Sequence, residues 1–508
     1  MSEPREDSKA LRLPKELRNA QNWKHLARWH GLGFYELQTE DTGDVPVRLF
    51  FTPQLLADAE EILYRQIVNA TRFPGVRLVV ITPDAHYGYG VPVGCVLITD
   101  AEAGAVAMGP VGYDIGCGMM SARSNVEAEA ATPERRLEFN RAVMGRVNMG
   151  FGGKSRKLGK LSEGEFQNLV RGGAEYYVEK YGATFDRSRA ERHRIPVEDG
   201  WQIPWGGKGR PERGLEQMGS LGGGNHFIEL QRSEQTGTLF VQVHTGSRGF
   251  GHGLATNYFE LARAERPELL KDIDLGYFTP DSPRYRDYLN AVAAGGNYAI
   301  LNRLVIFEQV SEGFREVFGE ELELVYEISH NLVQRERHPQ LGDVWVHRKG
   351  ATRAFPAGHP FLEGTRWEAT GHPVLIPGSN KDWSYILRPL AGAEQSGYSV
   401  NHGAGRRMSR GEAARTLSQR AIDDEYREAG IIVNADGHVP LDEAAPCYKS
   451  SDEVVSAVVG AGLAEVEHRL WPLASLKGVD ELRRGRKGRR VRARPRDEGG
   501  GKKTSEHY

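Results

Sequence analysis

Residues Leu239-Phe240-Val241-Gln242-Val243 form a short apolar run that leads directly into His244-Thr245-Gly246-Ser247-Arg248-Gly249, a polar turn that contains glycine. The length of the run is typical of a buried β-strand and short for a helix. Folds that combine helices with sheets commonly place their chemistry on polar residues just after a strand. The stretch therefore predicts a strand that ends in a candidate site.

The same arrangement recurs on both sides of this stretch. Strands are predicted at residues 76–81, 91–99, near Val106 and at 322–328, and helices with long loops between residues 125 and 215. Thr52 and Pro53 suit a helix N-cap and the first helical position. The apolar residues expected to form one buried face of that helix are Leu55, Leu56, Ile62, Leu63 and Ile67. The pattern indicates an α+β fold in which helices and strands are mixed.

The composition is that of a globular protein, and it limits the possible partners. Of the 508 residues, 39% are apolar and 26% are charged, and the formal net charge is −2. Affinity for a polyanion must therefore come from a local patch of cations. Residues 1–15 are charged, and no later run approaches the roughly 18 apolar residues of a membrane span. We expect a cytoplasmic protein without a membrane partner, whose three cysteines stay reduced.

A set of metal-type side chains follows predicted strands or lies in glycine loops. Its members are Asp114, Cys117, His226, His244 and His330. Carboxylate, thiolate and imidazole together suit Zn²⁺, Mn²⁺, Fe²⁺ or Co²⁺ better than Ca²⁺ or Mg²⁺. A single buried cysteine or histidine is more often part of the core, but five such residues at strand ends indicate a site. Asp84 and His86 are candidates for orienting a ligand, although a turn-forming role is the more usual one for an aspartate such as Asp84.

The stretch Asn401-His402-Gly403-Ala404-Gly405-Arg406-Arg407 combines a nucleophile, two glycines and positive charge. The glycines allow the backbone to approach an anion closely, and arginines bind phosphate oxygens in fork geometry. Ser409 and Glu412 have the spacing of a capping box, which predicts that a helix starts here with its dipole directed at the loop. A neutral imidazole here could attack phosphorus. The alternative is an anion-binding turn with an incidental histidine.

Together these residues resemble the RtcB family of RNA-splicing ligases, in the family's order, from about residue 52 to residue 478. The motifs that carry the resemblance are Asp114-Ile115-Gly116-Cys117-Gly118, Gly222-Gly223-Gly224-Asn225-His226-Phe227-Ile228-Glu229, His244-Thr245-Gly246-Ser247-Arg248-Gly249, His347-Arg348-Lys349-Gly350-Ala351-Thr352-Arg353-Ala354 and His402-Gly403-Ala404-Gly405-Arg406. The resemblance implies one large catalytic domain at residues 51–478, with mixed β-sheets flanked by helices and a dinuclear metal site in a central cleft. A lead-in segment, residues 1–50, precedes it. Residues 479–508 are rich in arginine and glycine and predict a disordered basic tail.

The resemblance implies a GTP- and Mn²⁺-dependent ligase that joins RNA 3′-phosphate or 2′,3′-cyclic phosphate ends to 5′-hydroxyl ends. Cys117 would be shared by two manganese ions, one completed by His244 and His330 and the other by Asp114 and His226. His402 would be the nucleophile that takes GMP. The positions that match guanylate-binding residues are Asn225, His226, Phe227, Ile228, Glu229, His330, Asn331, Pro377, Gly378, Ser379, Asn380, Ser384, His402, Gly403, Ala404, Gly405 and Lys477. Those that match RNA 3′-phosphate positions are Arg248, Arg406 and Arg410.

Other functions remain open at this point. The chain could cap 3′-phosphate ends of DNA or RNA with GMP and ligate poorly, and an archease-type activator is a possible partner. A metal phosphodiesterase would not require His402 in a glycine turn, and a non-catalytic binding protein would gain nothing from five metal-type ligands.

The chain departs from the family's usual small residues at Lys381, Asp382 and Trp383. We expect Trp383 to pack against protein rather than stack on a base.

Overall fold

The computed structural model describes residues 17–190, 194–267 and 273–478. Helices of the described residues are Trp23–Leu26 (α1), Pro53–Asp58 (α2), Glu61–Ala70 (α3), Pro133–Arg146 (α4), Glu163–Tyr181 (α5), Arg248–Glu265 (α6), Tyr285–Phe318 (α7), Arg410–Thr416 (α8), Gln419–Glu428 (α9) and Ser451–Gly460 (α10). The strands are Arg28–His30 (β1), Phe34–Glu36 (β2), Val47–Leu49 (β3), Val76–His86 (β4), Val93–Asp100 (β5), Val106–Ala107 (β6), Gly118–Glu127 (β7), Phe227–Ser233 (β8), Thr238–Thr245 (β9), Tyr277–Phe278 (β10), Glu323–Ser329 (β11), Asn331–His338 (β12), Gly342–Lys349 (β13), Ala351–Arg353 (β14), Val374–Ile376 (β15), Ser384–Pro389 (β16), Ser399–Asn401 (β17), Ile432–Val433 (β18) and Ala464–Lys477 (β19). The predicted α+β fold is confirmed.

Two large sheets carry the fold. One has seven strands in the order β1-β2-β3-β4-β5-β13-β12, and the other has eight strands, with β11-β7-β9-β8-β19-β16-β15 in order and β18 beside β19. Most neighbours are antiparallel, but β3 runs parallel to β4 and β18 runs parallel to β19. Since β12 follows β11 after a single residue, the chain passes from one sheet to the other at His330.

Helix α7 connects the core to the site. It spans 34 residues, and its middle is buried on all sides. Arg303 of this helix forms a fully buried ion pair with Glu327 of β11, at 2.5 Å. The same guanidinium donates hydrogen bonds to the carbonyl oxygens of Gly116, at 2.7 Å, and Thr245, at 2.8 Å. Because a buried charge is stable only when it is paired, Arg303 holds two site loops in place.

The predicted elements are found, with two differences in extent. Strand β4 continues past residue 81 to His86, so Asp84 lies within it. The predicted helix after Thr52 is capped as expected, by a hydrogen bond from the Leu55 amide to the Thr52 side chain. It then ends at Asp58 and α3 starts at Glu61. This break shifts the helical phase, so Ile62 is 50% exposed and its predicted place on the buried face is wrong.

The segment before residue 50 contributes strands to the first sheet. β3 pairs with β4, and Trp23 is buried and stacks on Tyr64 of α3 with ring centroids 5.8 Å apart. The first sixteen residues and the predicted basic tail at 479–508 lie outside the described residues. Within the described ranges, no helix is both long enough and apolar enough to cross a membrane.

Candidate active site

The register of the eight-stranded sheet collects the metal-type residues at one end. Gly118 at the start of β7 pairs with Thr245 at the end of β9 and with Ser329 at the end of β11. Phe227 at the start of β8 pairs with His244. Cys117, His226 and His330 are each one residue away from these paired positions. Neighbouring strands in this register therefore bring together ligands that are far apart in the sequence.

Two triplets of ligand atoms result, and they share one thiol. Cys117, His244 and His330 form the first, and Asp114, Cys117 and His226 form the second, with all ligand atoms of a triplet within 4.8 Å of one another. Cys117 Sγ lies 3.3 Å from His244 Nε2 and 3.6 Å from His226 Nε2. His244 Nε2 lies 3.3 Å from His330 Nε2, and His226 Nε2 lies 3.1 Å from the Asp114 carboxylate. A shared thiol at this position is suited to bridge two cations.

Neighbouring groups orient these ligands. His226 Nδ1 contacts the Leu221 carbonyl oxygen at 3.0 Å, and His244 Nδ1 contacts that of Asn225 at 3.1 Å. Each backbone carbonyl accepts the Nδ1 proton, which leaves Nε2 with a lone pair toward the cluster. The second carboxylate oxygen of Asp114 accepts hydrogen bonds from the Ser247 amide, at 2.9 Å, and from its hydroxyl.

Burial sets the protonation of the cluster. It lowers the pKa values of His244 and His330 well below the usual histidine range, and both imidazoles are therefore neutral. Burial, with the negative charge of Asp114, raises the pKa of the Cys117 thiol. For Asp114, burial opposes ionisation, but the interaction with His226 and the hydrogen bond from the Ser247 amide outweigh it, so its pKa is lowered. Neutral imidazoles, a carboxylate and a thiol that a cation would deprotonate fit two divalent transition-metal ions.

His402 lies beside this cluster, directly after β17. Its ring centroid is 4.8 Å from that of His330. Its Nδ1 is 2.6 Å from the Asp84 carboxylate, which is fully buried. Thr82 donates a hydrogen bond to the other oxygen of Asp84, at 2.6 Å. Asp84 therefore orients His402, and the interpretation of Asp84 as a turn residue is wrong.

The turn after His402 requires glycine. Gly405 has a φ of 76°, in the left-handed region that favours glycine. A Cβ atom at this position would overlap the carbonyl oxygen of Asp84. The predicted helix begins as α8, with the Glu412 amide donating to the Ser409 hydroxyl at 3.2 Å. The loop that follows His402 therefore packs directly against the backbone of β4.

One cavity of about 600 Å³ contains most of the predicted site. Its wall includes His402, the five metal-type residues, the three predicted phosphate-binding arginines and all predicted guanylate-binding positions except Ile228 and Ser384. Ile228 is buried in the main apolar core, because alternate side chains of β8 face opposite sides of the sheet. The Ser384 hydroxyl bonds the Gly378 amide and Gln231, both at 3.1 Å, and so supports the wall from behind.

Three cations of this wall share one buried carboxylate, that of Glu443. Glu443, which is 2% exposed, lies 3.4 Å from Arg406, 3.1 Å from Arg410 and 3.5 Å from Lys477. It also accepts a hydrogen bond from Tyr448, whose ring lies 5.1 Å from the Arg406 guanidinium and lines the cavity. No local motif surrounds Glu443 or Tyr448, and the sequence reasoning missed both.

Arg248 and Glu229 are also buried, but neither contacts Glu443. Arg248 starts α6 with a φ of 52° and donates a hydrogen bond to the Gly150 carbonyl oxygen at 3.0 Å. Burial raises the pKa of Glu229 to about 7, although a hydrogen bond from Gln231 and the charge of Lys477 oppose the change. A buried carboxyl group at this pKa is suited to recognise hydrogen-bond donors of a ligand.

The residues that depart from the family pattern bind other parts of the protein. Trp383 lies 5.0 Å from Trp471 and 4.3 Å from the Arg469 guanidinium, so the prediction that it packs is confirmed. Lys381 forms an ion pair with Glu425. The carboxylate of Asp382 accepts a hydrogen bond from the Ser451 amide at 2.9 Å, at the start of α10.

Comparison with known proteins identifies the family of this chain. The family model described as tRNA-splicing ligase RtcB matches residues 66–478. The tRNA-splicing ligase RtcB of Pyrobaculum aerophilum is 35% identical over 466 residues, which cover 85% of this chain and 95% of that protein. The RNA-splicing ligase RtcB of Mycobacterium tuberculosis is 37% identical over 441 residues, which cover 81% of this chain and all of that protein. The chain therefore belongs to the RtcB family of RNA ligases.

Proposed function

We propose that this RNA ligase joins 3′-phosphate or 2′,3′-cyclic phosphate ends to 5′-hydroxyl ends, using GTP and Mn²⁺ and a covalent His402–GMP intermediate. The observation that carries the proposal is the 2.6 Å contact between His402 Nδ1 and Asp84, in a cavity that also contains the cysteine-sharing metal cluster. The contact holds the Nδ1 proton, so Nε2 has the lone pair that a nucleophile needs.

In the first step, His402 Nε2 attacks the α-phosphorus of GTP. A phosphorus–nitrogen bond forms, the bond to the leaving oxygen breaks, and pyrophosphate departs. The imidazole gains positive charge as this bond forms, and Asp84, which accepts the Nδ1 hydrogen bond, stabilises that charge. Glu229, Asn380 and Lys477 line the same cavity and supply polar groups for the guanine base.

In the second step, an oxygen of the RNA 3′-phosphate attacks the phosphorus on His402, and the phosphorus–nitrogen bond breaks. The RNA then carries a 3′ end joined to GMP through a phosphoanhydride. The 5′-hydroxyl of the other strand attacks the RNA phosphorus, the new phosphodiester forms, GMP leaves and the hydroxyl proton passes to solvent. Arg248, Arg406 and Arg410 line the cavity and can bind phosphate oxygens in these steps.

The metal cluster fits the same proposal. Asp114 and His226 would hold one ion, His244 and His330 the other, and Cys117 both. Bound Mn²⁺ supplies positive charge that offsets the charge of phosphate oxygens. A 2′,3′-cyclic end needs hydrolysis before it can react, and the cluster lies in the same cavity. We place the reaction on broken or spliced RNA, including tRNA, in the cytoplasm, where the Cys117 thiol stays reduced.

The test is incubation with α-labelled GTP and MnCl₂, followed by a denaturing gel and acid treatment. We expect a label on the wild type that is lost in acid and stable in alkali, as a phosphoramidate is, and no label on His402→Ala. His438→Ala is the matched control, because the His438 side chain is 49% exposed and does not line the cavity. Absence of label on folded, metal-loaded wild type would contradict the proposal. A product that stops at a guanylylated 3′ end would instead identify the enzyme as a capping enzyme.

A further inference from the structure

One wall of the cavity has no role in the reaction described so far. It is lined by four rings, Tyr89, Tyr113, His252 and Phe259, which we call the aromatic wall. Three of these rings are half-buried, and Phe259 is buried. The predicted nucleotide and phosphate positions do not include any of the four.

The rings of the aromatic wall are held by one another. Tyr113 is at the centre, with ring centroids 4.7 Å from Phe259, 5.4 Å from His252 and 6.0 Å from Tyr89. The Tyr113 and Tyr89 planes meet at 85°, so the two rings form a corner. The Tyr113 hydroxyl donates a hydrogen bond to Asp274 at 2.9 Å. A preformed aromatic corner loses little freedom when a flat ligand binds it.

The position of the aromatic wall relates it to the metal cluster and places it away from Lys477. Tyr113 directly precedes Asp114, and α6, which carries His252 and Phe259, follows β9. In the sheet order, β7 and β9 lie on one side of β8, whereas β19, which carries Lys477, lies on the other. The Lys349 ammonium donates to the Tyr89 carbonyl oxygen at 2.6 Å, and the next residue, Gly350, lies against His402.

We infer that the aromatic wall binds the terminal nucleotide of the 5′-hydroxyl strand by stacking its base. This inference rests on the proposed function, which requires three ligands in the cavity: a guanylate, a 3′-phosphate end and a 5′-hydroxyl end. The first two have candidate positions, and the aromatic wall lies next to the reacting centre where the third must enter. Stacking suits a ligase that accepts many ends, because every base presents a flat π surface.

The test isolates the last step. RNA with a 3′ end already joined to GMP is mixed with increasing concentrations of a 5′-hydroxyl strand. We expect Tyr89→Ala and His252→Ala to raise the KM for the 5′-hydroxyl strand about tenfold, within the range of base–aromatic stacking, while the rate of His402 labelling and of 3′-end guanylylation changes less than twofold. Tyr89→Phe should restore the KM. Tyr87→Ala is the matched control, because Tyr87 is 48% exposed and lies outside the cavity.

A strand whose first nucleotide lacks its base supplies the second measurement. We expect wild type to bind this abasic strand about tenfold more weakly than the normal strand in fluorescence anisotropy, and Tyr89→Ala to bind the two equally. Equal binding of both strands by wild type overturns the inference, and so does an equal loss in 3′-end guanylylation, which would assign the rings to the other strand. Because binding needs no GTP, the result is independent of the His402 labelling that tests the proposed function.

Discussion

The carboxylate of Asp84 contacts His402 twice, at the ring Nδ1, 2.6 Å away, and at the backbone amide, 3.1 Å away. The two residues are 318 positions apart in the sequence. One buried oxygen therefore fixes both the ring orientation and the backbone of the candidate nucleophile. The pKa of Asp84 is lowered: burial alone would raise it, but the interaction with His402 and the hydrogen bonds from His402 and Thr82 outweigh burial. The carboxylate is thus ionised where it meets the imidazole.

Replacing Asp84 by asparagine should slow the transfer of GMP to His402 by roughly 10- to 100-fold. An asparagine amide can donate to Nδ1 and so favour the tautomer in which Nε2 carries the proton, which removes the nucleophile. The measurement is the single-turnover rate of labelling from α-labelled GTP. Thr82→Val, which keeps the Asp84 carboxylate but removes the hydroxyl that contacts it and the Gly94 carbonyl oxygen, serves as the control and should cost much less. Equal rates for Asp84→Asn and wild type would show that the contact has no catalytic role.

Replacing Cys117 by serine should remove both metal ions together, since this thiol belongs to both triplets. His226→Ala should lose one ion and keep the second, because His226 belongs to only one triplet. Metal content per chain, measured by mass spectrometry after dialysis against Mn²⁺, separates the two cases. Cys95→Ala is the control: Cys95 is also buried, but it lies in β5, outside the cavity. Retention of two ions by Cys117→Ser would contradict a shared ligand.

Glu229 should make the protein less stable as pH rises. Its folded pKa, about 7, lies above the ordinary value of 4.5, so the folded state holds the proton that the unfolded chain has lost. Stability therefore falls between pH 4.5 and about 7, by about 3 kcal/mol at most, and is constant above that range. We expect Glu229→Gln to be more stable than wild type at pH 8 by up to this amount and equal to it near pH 4.5. Urea unfolding at both pH values measures the difference, and a pH-independent difference would contradict the assignment.

Replacing Glu443 by glutamine should destabilise the protein by roughly 3–5 kcal/mol, because it leaves buried cations without their counter-ion. Arg406 and Lys477 both contact this carboxylate. Added pyrophosphate should raise the melting temperature of the variant more than that of wild type, since an anion can take the place of the lost charge. Glu425→Gln, which removes a carboxylate that is 46% exposed from an ion pair with Lys381, is the control and should cost less than about 1 kcal/mol. A melting temperature that does not respond to anion would show that Glu443 does not occupy an anion site.

The sequence predicted correctly those structural features that depend on a local pattern. Thr52 and Ser409 cap helices as their spacing predicts, because a cap involves residues only three positions apart. The apolar run before His244 likewise predicted the strand that ends at Thr245, because this pattern also involves only adjacent residues. Ile62 shows the limit of such patterns: a two-residue break between α2 and α3 changed the helical phase and exposed it.

The roles of residues whose partners are distant in the sequence could not be predicted. Nothing near Glu443 in the sequence indicates that Arg406 and Lys477 meet it, and nothing near Tyr89 indicates that it faces Tyr113. Ile228 shows the converse error. The motif around it predicted a ligand contact, but its neighbours face the cavity while it faces the core. Local motifs identify side-chain chemistry, but the side to which a side chain points depends on the strand pairing around it.

The sequence by itself determined which chemical groups the protein can use: a thiol, imidazoles, carboxylates and a glycine turn after His402, each set beside an apolar run that forms a strand. Only the tertiary structure decided that Cys117 is shared by two triplets, that Asp84 holds His402 and that four rings form the aromatic wall of the cavity. The physical reason is that helix capping and apolar periodicity depend on neighbours in sequence, whereas a site needs atoms within a few ångströms in space. The register of the eight-stranded sheet supplies that proximity, and hydrogen bonds from Arg303 hold the adjoining loops in place.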